Sequence, residues 1–224
     1  MLTKCCPLCL MHCLVTAGAT IEPIDEVRHL TNQSTGRLGS ALAEELERSE
    51  HKVTLLLSET AQKKPRSNRI EIHTFTTTAS LQKLIIDMAK VDISAIFHVA
   101  AVSDFTPVQA QNGKISSNTL FTLKLKPTQK IINDLRNMYP DSLLIGWKYE
   151  IEGNHRSLLL KGQEQTQAVH ALEQSCHLNK PKYPFYLPCH LRRCPEGNPT
   201  LPGKYLPFWQ WISPMVNKTV FRIE

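Results

Sequence analysis

No stretch of this 224-residue chain is apolar enough to cross a bilayer. The longest candidate, Ala95 to Val102, is interrupted by His98 and falls well short of the roughly 20 residues a span needs. Met1-Leu-Thr-Lys carries neither the apolar core nor the small-residue cleavage site of a secretory signal, so a cytoplasmic setting is expected. The cysteines do not form a metal-binding pattern. Cys5, Cys6, Cys9 and Cys13 crowd the start, and Cys6-Pro-Leu-Cys9 has ligand-like spacing, but Cys189 and Cys194 make no matching second pair. No metal site is therefore assigned to protein ligands. An odd thiol count without a signal points to reduced cysteines. Repeats, low-complexity tracts and nucleic-acid-binding patterns are also missing. The net charge of +6 favours anionic partners only weakly, because the basic residues are scattered. Lys63-Lys64-Pro65-Arg66 is the one cluster, and it reads as a solvated loop.

What is present is an alternation of strand-like and helix-like segments. Cys13–Ala17, Val53–Leu57, Ile70–Phe75, Ile93–Val99 and Ser142–Trp147 read as strands. Leu38, Ala41, Leu42 and Leu46 share one helical face, Leu81, Leu84, Ile85 and Met88 another, and Ile131, Ile132 and Leu135 a third. This order predicts an α/β fold, a doubly wound, mostly parallel Rossmann-like sheet with helices on both faces. Leu120-Phe-Thr-Leu-Lys-Leu125 alternates and is expected to add a small β extension outside the parallel core. Residues 1–12 read as an irregular leader and 13–224 as one domain, its tail divergent from about 176. A helix near 157–172, a turn at Pro195-Glu-Gly-Asn198 and a closing helix over 206–212 complete the expectation.

The most informative segment runs from Thr16-Ala-Gly-Ala-Thr-Ile-Glu-Pro-Ile-Asp-Glu-Val-Arg28 through Leu30-Thr-Asn-Gln-Ser-Thr-Gly-Arg-Leu-Gly39. It joins the first strand to the first helix, where unpaired amides suit a phosphate. Such connections usually take about 2–6 residues, so one this long is expected to be functional. Gly36-Arg-Leu-Gly39 resembles part of a dinucleotide fingerprint, and Glu59 follows the second strand. Gly18 and Gly36 stand too far apart in sequence for one tight pyrophosphate turn, however, and no Tyr-x-x-x-Lys pair supports an oxidoreductase. Asn32, just before the helix, has a carboxamide that can donate to a developing oxyanion, or can simply cap the helix. Asp104 follows a buried strand, Lys114 sits on a connection expected to be flexible, and Lys161 lies on a later helix; as isolated residues all three suit solvent. Trp147, ending a strand, suits either the core or stacking on a base.

Taken in order, these residues resemble phosphopantothenoylcysteine synthetase, the ligase of coenzyme A biosynthesis. The similarity continues through Val99-Ala-Ala-Val-Ser-Asp-Phe105, Gly113-Lys-Ile-Ser-Ser117, Lys126-Pro-Thr-Gln-Lys-Ile-Ile132 and Ile145-Gly-Trp147. It implies that a phosphopantothenate carboxylate is first activated by a nucleoside triphosphate, with CTP ahead of ATP, and that cysteine then displaces the nucleotide. It also implies magnesium with the triphosphate, a homodimer, small-molecule partners rather than nucleic acid or membrane, and a stand-alone form without a flavin decarboxylase. By motif, Asn32 and Lys114 are implied as catalytic. Nucleotide contacts are implied at His98, Val99, Ala100, Asp104, Lys114, Gln129, Lys130, Ile131, Ile132, Trp147 and Lys161. Substrate or phosphate contacts are implied at Gly18, Asn32, Ser34, Gly36 and Asn179. Arg37 and Thr35 stand where the family commonly has lysine and serine, and His177-Leu-Asn-Lys180 keeps an asparagine but not the usual acid. An NAD(P)-dependent oxidoreductase and a non-catalytic nucleotide-binding relative remain the alternatives.

Overall fold

Side chains alternate along each central strand, and the two resulting apolar faces determine where the helices dock. In the computed structural model, which describes residues 10–150, 160 and 173–178, strand β1 (His12–Ala17) sends Cys13, Val15 and Ala17 to one face and Leu14 to the other. Strand β4 (Lys52–Ser58) does the same with Val53, Leu55 and Leu57 against Leu56, and β6 (Ala95–His98) with Ala95 and Phe97 against Ile96. With β5 (Glu71–Phe75), β9 (Leu143–Glu150) and β10 (Glu173–Leu178) they form a parallel sheet in the order β10-β9-β6-β1-β4-β5. This is the doubly wound arrangement, with its reversal of direction between β1 and β6.

Helix α1 (Arg37–Arg48) covers the first face through Leu42, Ala43 and Leu46. Helices α2 (Thr78–Met88) and α3 (Ile131–Met138) cover the second through Leu81, Ile85, Ile131 and Leu135. Gly39 lets α1 lie close to β1: a Cβ there would run into the Ala17 side chain and come within 3.2 Å of the Thr16 carbonyl. Gly39→Ala should therefore destabilise the fold by about 1–3 kcal/mol through overpacking, despite alanine's better helix propensity. A lowered urea midpoint with unchanged slope is the expected readout; an unchanged midpoint would show that α1 can shift outward freely. The described cysteine Cys13 is fully buried, and burial pushes its thiol up to about 12, which leaves it unreactive.

Two small hairpins stand outside the sheet. One, β2 (Ile21–Pro23) with β3 (His29–Thr31), occupies the long connection between β1 and α1. The other pairs β7 (Phe105–Pro107) with β8 (Leu125–Pro127). This second hairpin corrects the expected strand over 120–125. Pro127 opposes Phe105 at one end of the ladder and Pro107 opposes Leu125 at the other. One hydrogen bond beyond each end, Val108 N–H to Lys124 O at 3.0 Å and Thr128 N–H to Asp104 O at 2.9 Å, closes the ladder. Leu120, left beyond it, is 98% exposed. Residues 1–9, the 206–212 helix, the 195–198 turn and nearly all of the 157–172 helix lie outside the described residues.

Candidate functional site

The sheet's reversal creates a crevice at the carboxyl ends of β1 and β6. Its floor is a row across three strands, where Thr16 pairs in register with His98 and His98 with Gly146. The pairing of β1 and β6 then continues past their ends. Val99 N–H donates to Thr16 O at 3.2 Å, Ala101 N–H to Gly18 O at 2.8 Å, and Thr20 N–H to Ala101 O at 3.2 Å. The backbones of the two strand ends are thus locked side by side.

Hydroxyl side chains finish this frame. Thr20 Oγ1 accepts the Ser103 amide at 2.8 Å, and Ser58 Oγ donates to Ala19 O at 2.6 Å. Thr128 N–H donates to Asp104 O at 2.9 Å, and its hydroxyl to Ser103 O. Thr20, Ser103 and Thr128 stand in the segments that carry the resemblance but, like Ser58, are not among the site residues it implies. Their signal was a concentration of small hydroxyl residues just beyond apolar strands.

His98 is buried beneath this frame, and burial lowers its pKa to about 4. Its ring is therefore neutral near pH 7, with Nδ1 3.0 Å from Thr16 Oγ1, which in turn accepts the Ala100 amide at 3.1 Å. His98 thus orders the strand end through Thr16. An unfolded histidine takes its proton near 6.5, whereas this one resists until about 4. The stability from the neutral ring is complete above the higher value and is lost as pH falls towards the lower, about 2 kcal/mol of it by pH 5. His98→Asn should shrink the difference in Tm between pH 7 and pH 5. Burial also depresses His12 and His51, which leave a residual slope. An unaltered difference would remove His98 from the acid response.

Gly18 and Gly36, distant in sequence, meet in space. A Cβ built on Gly36 would lie 3.7 Å from Gly18 Cα and 2.9 Å from Ala61 Cβ, and one on Gly18 2.5 Å from Ser58 Cβ. Both have positive φ, 89° and 73°, which glycine adopts at little cost. They do not form one tight turn, as their separation in sequence requires; they abut because the β2–β3 hairpin loops out between them. Gly36 opens α1, whose first turn carries no acidic residue, and half-buried Ser34 lies two residues before it. Lys63 and Lys64 are exposed, as a solvated loop requires, while the Gln62 and Lys63 amides donate to Thr35 O.

Asn32 follows β3, and its Nδ2 donates to Val102 O at 3.1 Å. This places the carboxamide beside the strand end that carries Asp104. Asp104 forms an exposed ion pair with Lys130, the residue preceding α3. Gln129 Nε2 reaches Asp134 Oδ2 at 2.8 Å. Ile131, the first residue of α3, is a core residue. Ile132 sits over Gly146, where a Cβ would come within 2.8 Å of its Cδ1. On the opposite face Val99 and Trp147 are partly buried against the core, and the indole N–H of Trp147 is buried without a partner among the described residues. Lys161 and Asn179 lie outside the described residues.

Lys114 is exposed, but its segment is fixed rather than loose. Gln111 N–H donates to Ile24 O at 2.9 Å, Glu26 N–H to Gly113 O at 3.4 Å, and Ile115 N–H to Asp25 Oδ2 at 3.0 Å. The segment is thereby docked on the β2–β3 turn, at the opposite end of β3 from Asn32. About 13 Å of strand separates Arg28 from Asn32 at roughly 3.3 Å per residue. Burial raises the Asp25 pKa, but three backbone amides and the Arg28 guanidinium outweigh it and hold the carboxyl at about 2. The base of the hairpin is anchored too: Glu22 accepts the amide and hydroxyl of Thr78 at 2.8 and 2.7 Å. A carboxylate at the start of α2 is favoured by the helix dipole.

A cavity of about 310 Å³ lies along the hairpin and Thr76–Thr77, lined by Ile21, Val27, Arg28 and His29. None of Asn32, Asp104 or Lys114 lines it, so the crevice, chosen for its convergent polar groups, is the better candidate. Among the described residues no group of three or more His, Cys, Asp or Glu is placed to hold a metal ion. No described helix is long and apolar enough to cross a membrane.

Residues 9–168 match the family described as the DNA/pantothenate metabolism flavoprotein C-terminal domain. The chain is 35% identical over 152 residues to the coenzyme A biosynthesis bifunctional protein CoaBC of Thermococcus kodakarensis, covering 68% of this chain and 37% of that protein. Identity to the protein of the same name from Methanocaldococcus jannaschii is also 35% over 152 residues, covering 68% and 36%. The chain thus spans little more than a third of the length of these curated relatives. The solved DNA/pantothenate metabolism flavoprotein from Streptococcus pneumoniae superposes with a TM-score of 0.69 at 28% identity, over 75% of this chain and 82% of that one.

Proposed function

The chain belongs to the DNA/pantothenate metabolism flavoprotein C-terminal domain family, and from that premise we propose that it ligates 4′-phosphopantothenate to L-cysteine. The observation that carries this reading is the position of the Asn32 carboxamide against Val102, at the strand end that also bears the Asp104–Lys130 pair. A carboxylate is a poor acylating agent, so ligation runs in two displacements. The phosphopantothenate carboxylate oxygen attacks the α-phosphate of a triphosphate, the bond to the β-phosphate breaks, and pyrophosphate leaves. The cysteine amine then attacks the acyl carbonyl, loses a proton, and expels the nucleoside monophosphate.

In this reading the backbone amides at the start of α1, beside the adjoining Gly18 and Gly36, take a phosphate. The docked Lys114 ammonium offsets charge on the leaving pyrophosphate. Asn32 donates to the carbonyl oxygen as it becomes an oxyanion. Magnesium, which keeps most of its water and takes few carboxylates, suits a site offering Asp104 beside the nucleotide phosphates; bound there, it would neutralise phosphate charge. CTP ahead of ATP, a homodimer and a cytoplasmic location complete the proposal.

Pyrophosphate release with phosphopantothenate, cysteine and either CTP or ATP tests it directly. Release should require phosphopantothenate and be faster with CTP. No release with either nucleotide, from demonstrably folded protein, would leave a non-catalytic nucleotide-binding relative as the better reading.

A further inference from the structure

Two oxygens of one carboxylate do different work at the hairpin turn. Asp25 Oδ1 accepts the Val27 and Arg28 amides at 2.9 and 2.7 Å, a local arrangement that shapes the turn. Oδ2 faces away from the turn and takes the Ile115 amide, from 90 positions along the chain, together with the Arg28 guanidinium. Arg28 in turn donates from both terminal nitrogens to Ile115 O at 3.2 Å. The backbone N–H and C=O of the residue after Lys114 are thus both held by a single ion pair. The residue before Lys114 is held by the Glu26 amide. The Asp25 side chain is fully buried, whereas Lys114 is exposed and has no ion-pair partner among the described residues.

We propose that Asp25 is a positioning residue for the ligation, its Oδ2 together with Arg28 forming a clasp that fixes the Gly113-Lys114-Ile115 segment and so sets where the lysine ammonium reaches. The inference rests on the ligase reading for its kinetic consequence but not for the clasp itself. A turn that needed only its own stability would use Oδ1; the contacts of Oδ2 stabilise nothing local except the pair with Arg28. Charge-assisted hydrogen bonds of this kind are stronger and more directional than neutral ones.

Asp25→Asn separates the two roles. The asparagine oxygen can replace Oδ1 in the turn, while its NH2 replaces Oδ2 and confronts both the Ile115 N–H and Arg28 with donors. The fold should persist, with amide exchange over 113–117 at least tenfold faster and exchange in β1 and β4 unchanged. The kcat/KM for the triphosphate should fall at least tenfold, mainly through kcat of the activation step, while conversion of pre-formed acyl nucleotide stays near the wild-type rate. Adding Asp25→Asn to Lys114→Gln should cost little more than Lys114→Gln alone, because one acts through the other. Additive losses, or unchanged exchange over 113–117, would overturn the proposal. If the wild-type protein releases no pyrophosphate, the ligase reading fails, and exchange over 113–117 still decides whether the clasp exists.

Discussion

Asn32→Ala should leave the acid activated but not ligated. Supplied with phosphopantothenate and triphosphate, the variant releases a first equivalent of pyrophosphate at close to the wild-type rate, and acyl nucleotide then accumulates. Product formation with cysteine falls by about 10²–10³-fold, the usual loss when one donor to a developing oxyanion is removed. The carboxamide is well placed for that role. It is exposed, it rests on Val102 O through one 3.1 Å hydrogen bond, and it belongs to no buried network that its removal would unsettle. Quenched samples resolved for acyl nucleotide and product give the measurement. An intact overall rate would exclude Asn32 from the chemistry, and loss of the first pyrophosphate would move its role to activation.

Lys114→Gln should have its effect one step earlier. A glutamine keeps most of the side-chain length and hydrogen bonding but no charge, so it cannot neutralise pyrophosphate as that group departs. A loss of about 10²-fold or more in the activation step is expected. Stability should stay within about 0.5 kcal/mol, as at an exposed site whose fixing contacts belong to its neighbours Gly113 and Ile115. Stopped-flow pyrophosphate detection beside a thermal melt separates the two effects. A lowered Tm with normal activation would make Lys114 a structural residue.

The parallel sheet was legible because its buried strands obey a period of two: Val53, Leu55 and Leu57 part from Leu56 in sequence as they do in space. The helices were legible from Leu42 and Leu46, and from Leu81 and Ile85. Leu120 to Leu125 shows the same alternation without the same outcome, since period alone says nothing about a partner strand, and β7 pairs only with Leu125–Pro127. In the site, Asn32 could be singled out because it stands just before a helix, and Asp104 because it follows a buried strand. That they share one strand end depends on the Asn32 hydrogen bond across 70 positions, which no local pattern encodes. The same holds for Asp25. Its turn is local, but its hold on Ile115 is not. Ile131 illustrates the converse: a motif names a residue whose side chain belongs to the core.

Because Gly18 and Gly36 abut, the chain leaves the sheet and rejoins it at a single doorway. Whatever lies between is an excursion that strains neither β1 nor α1, and the entropy of closing a longer one grows only logarithmically with its length. The excursion can therefore change in length at little cost to the sheet, provided that Asn32 keeps its hold on Val102 and Asp25 its hold on Ile115.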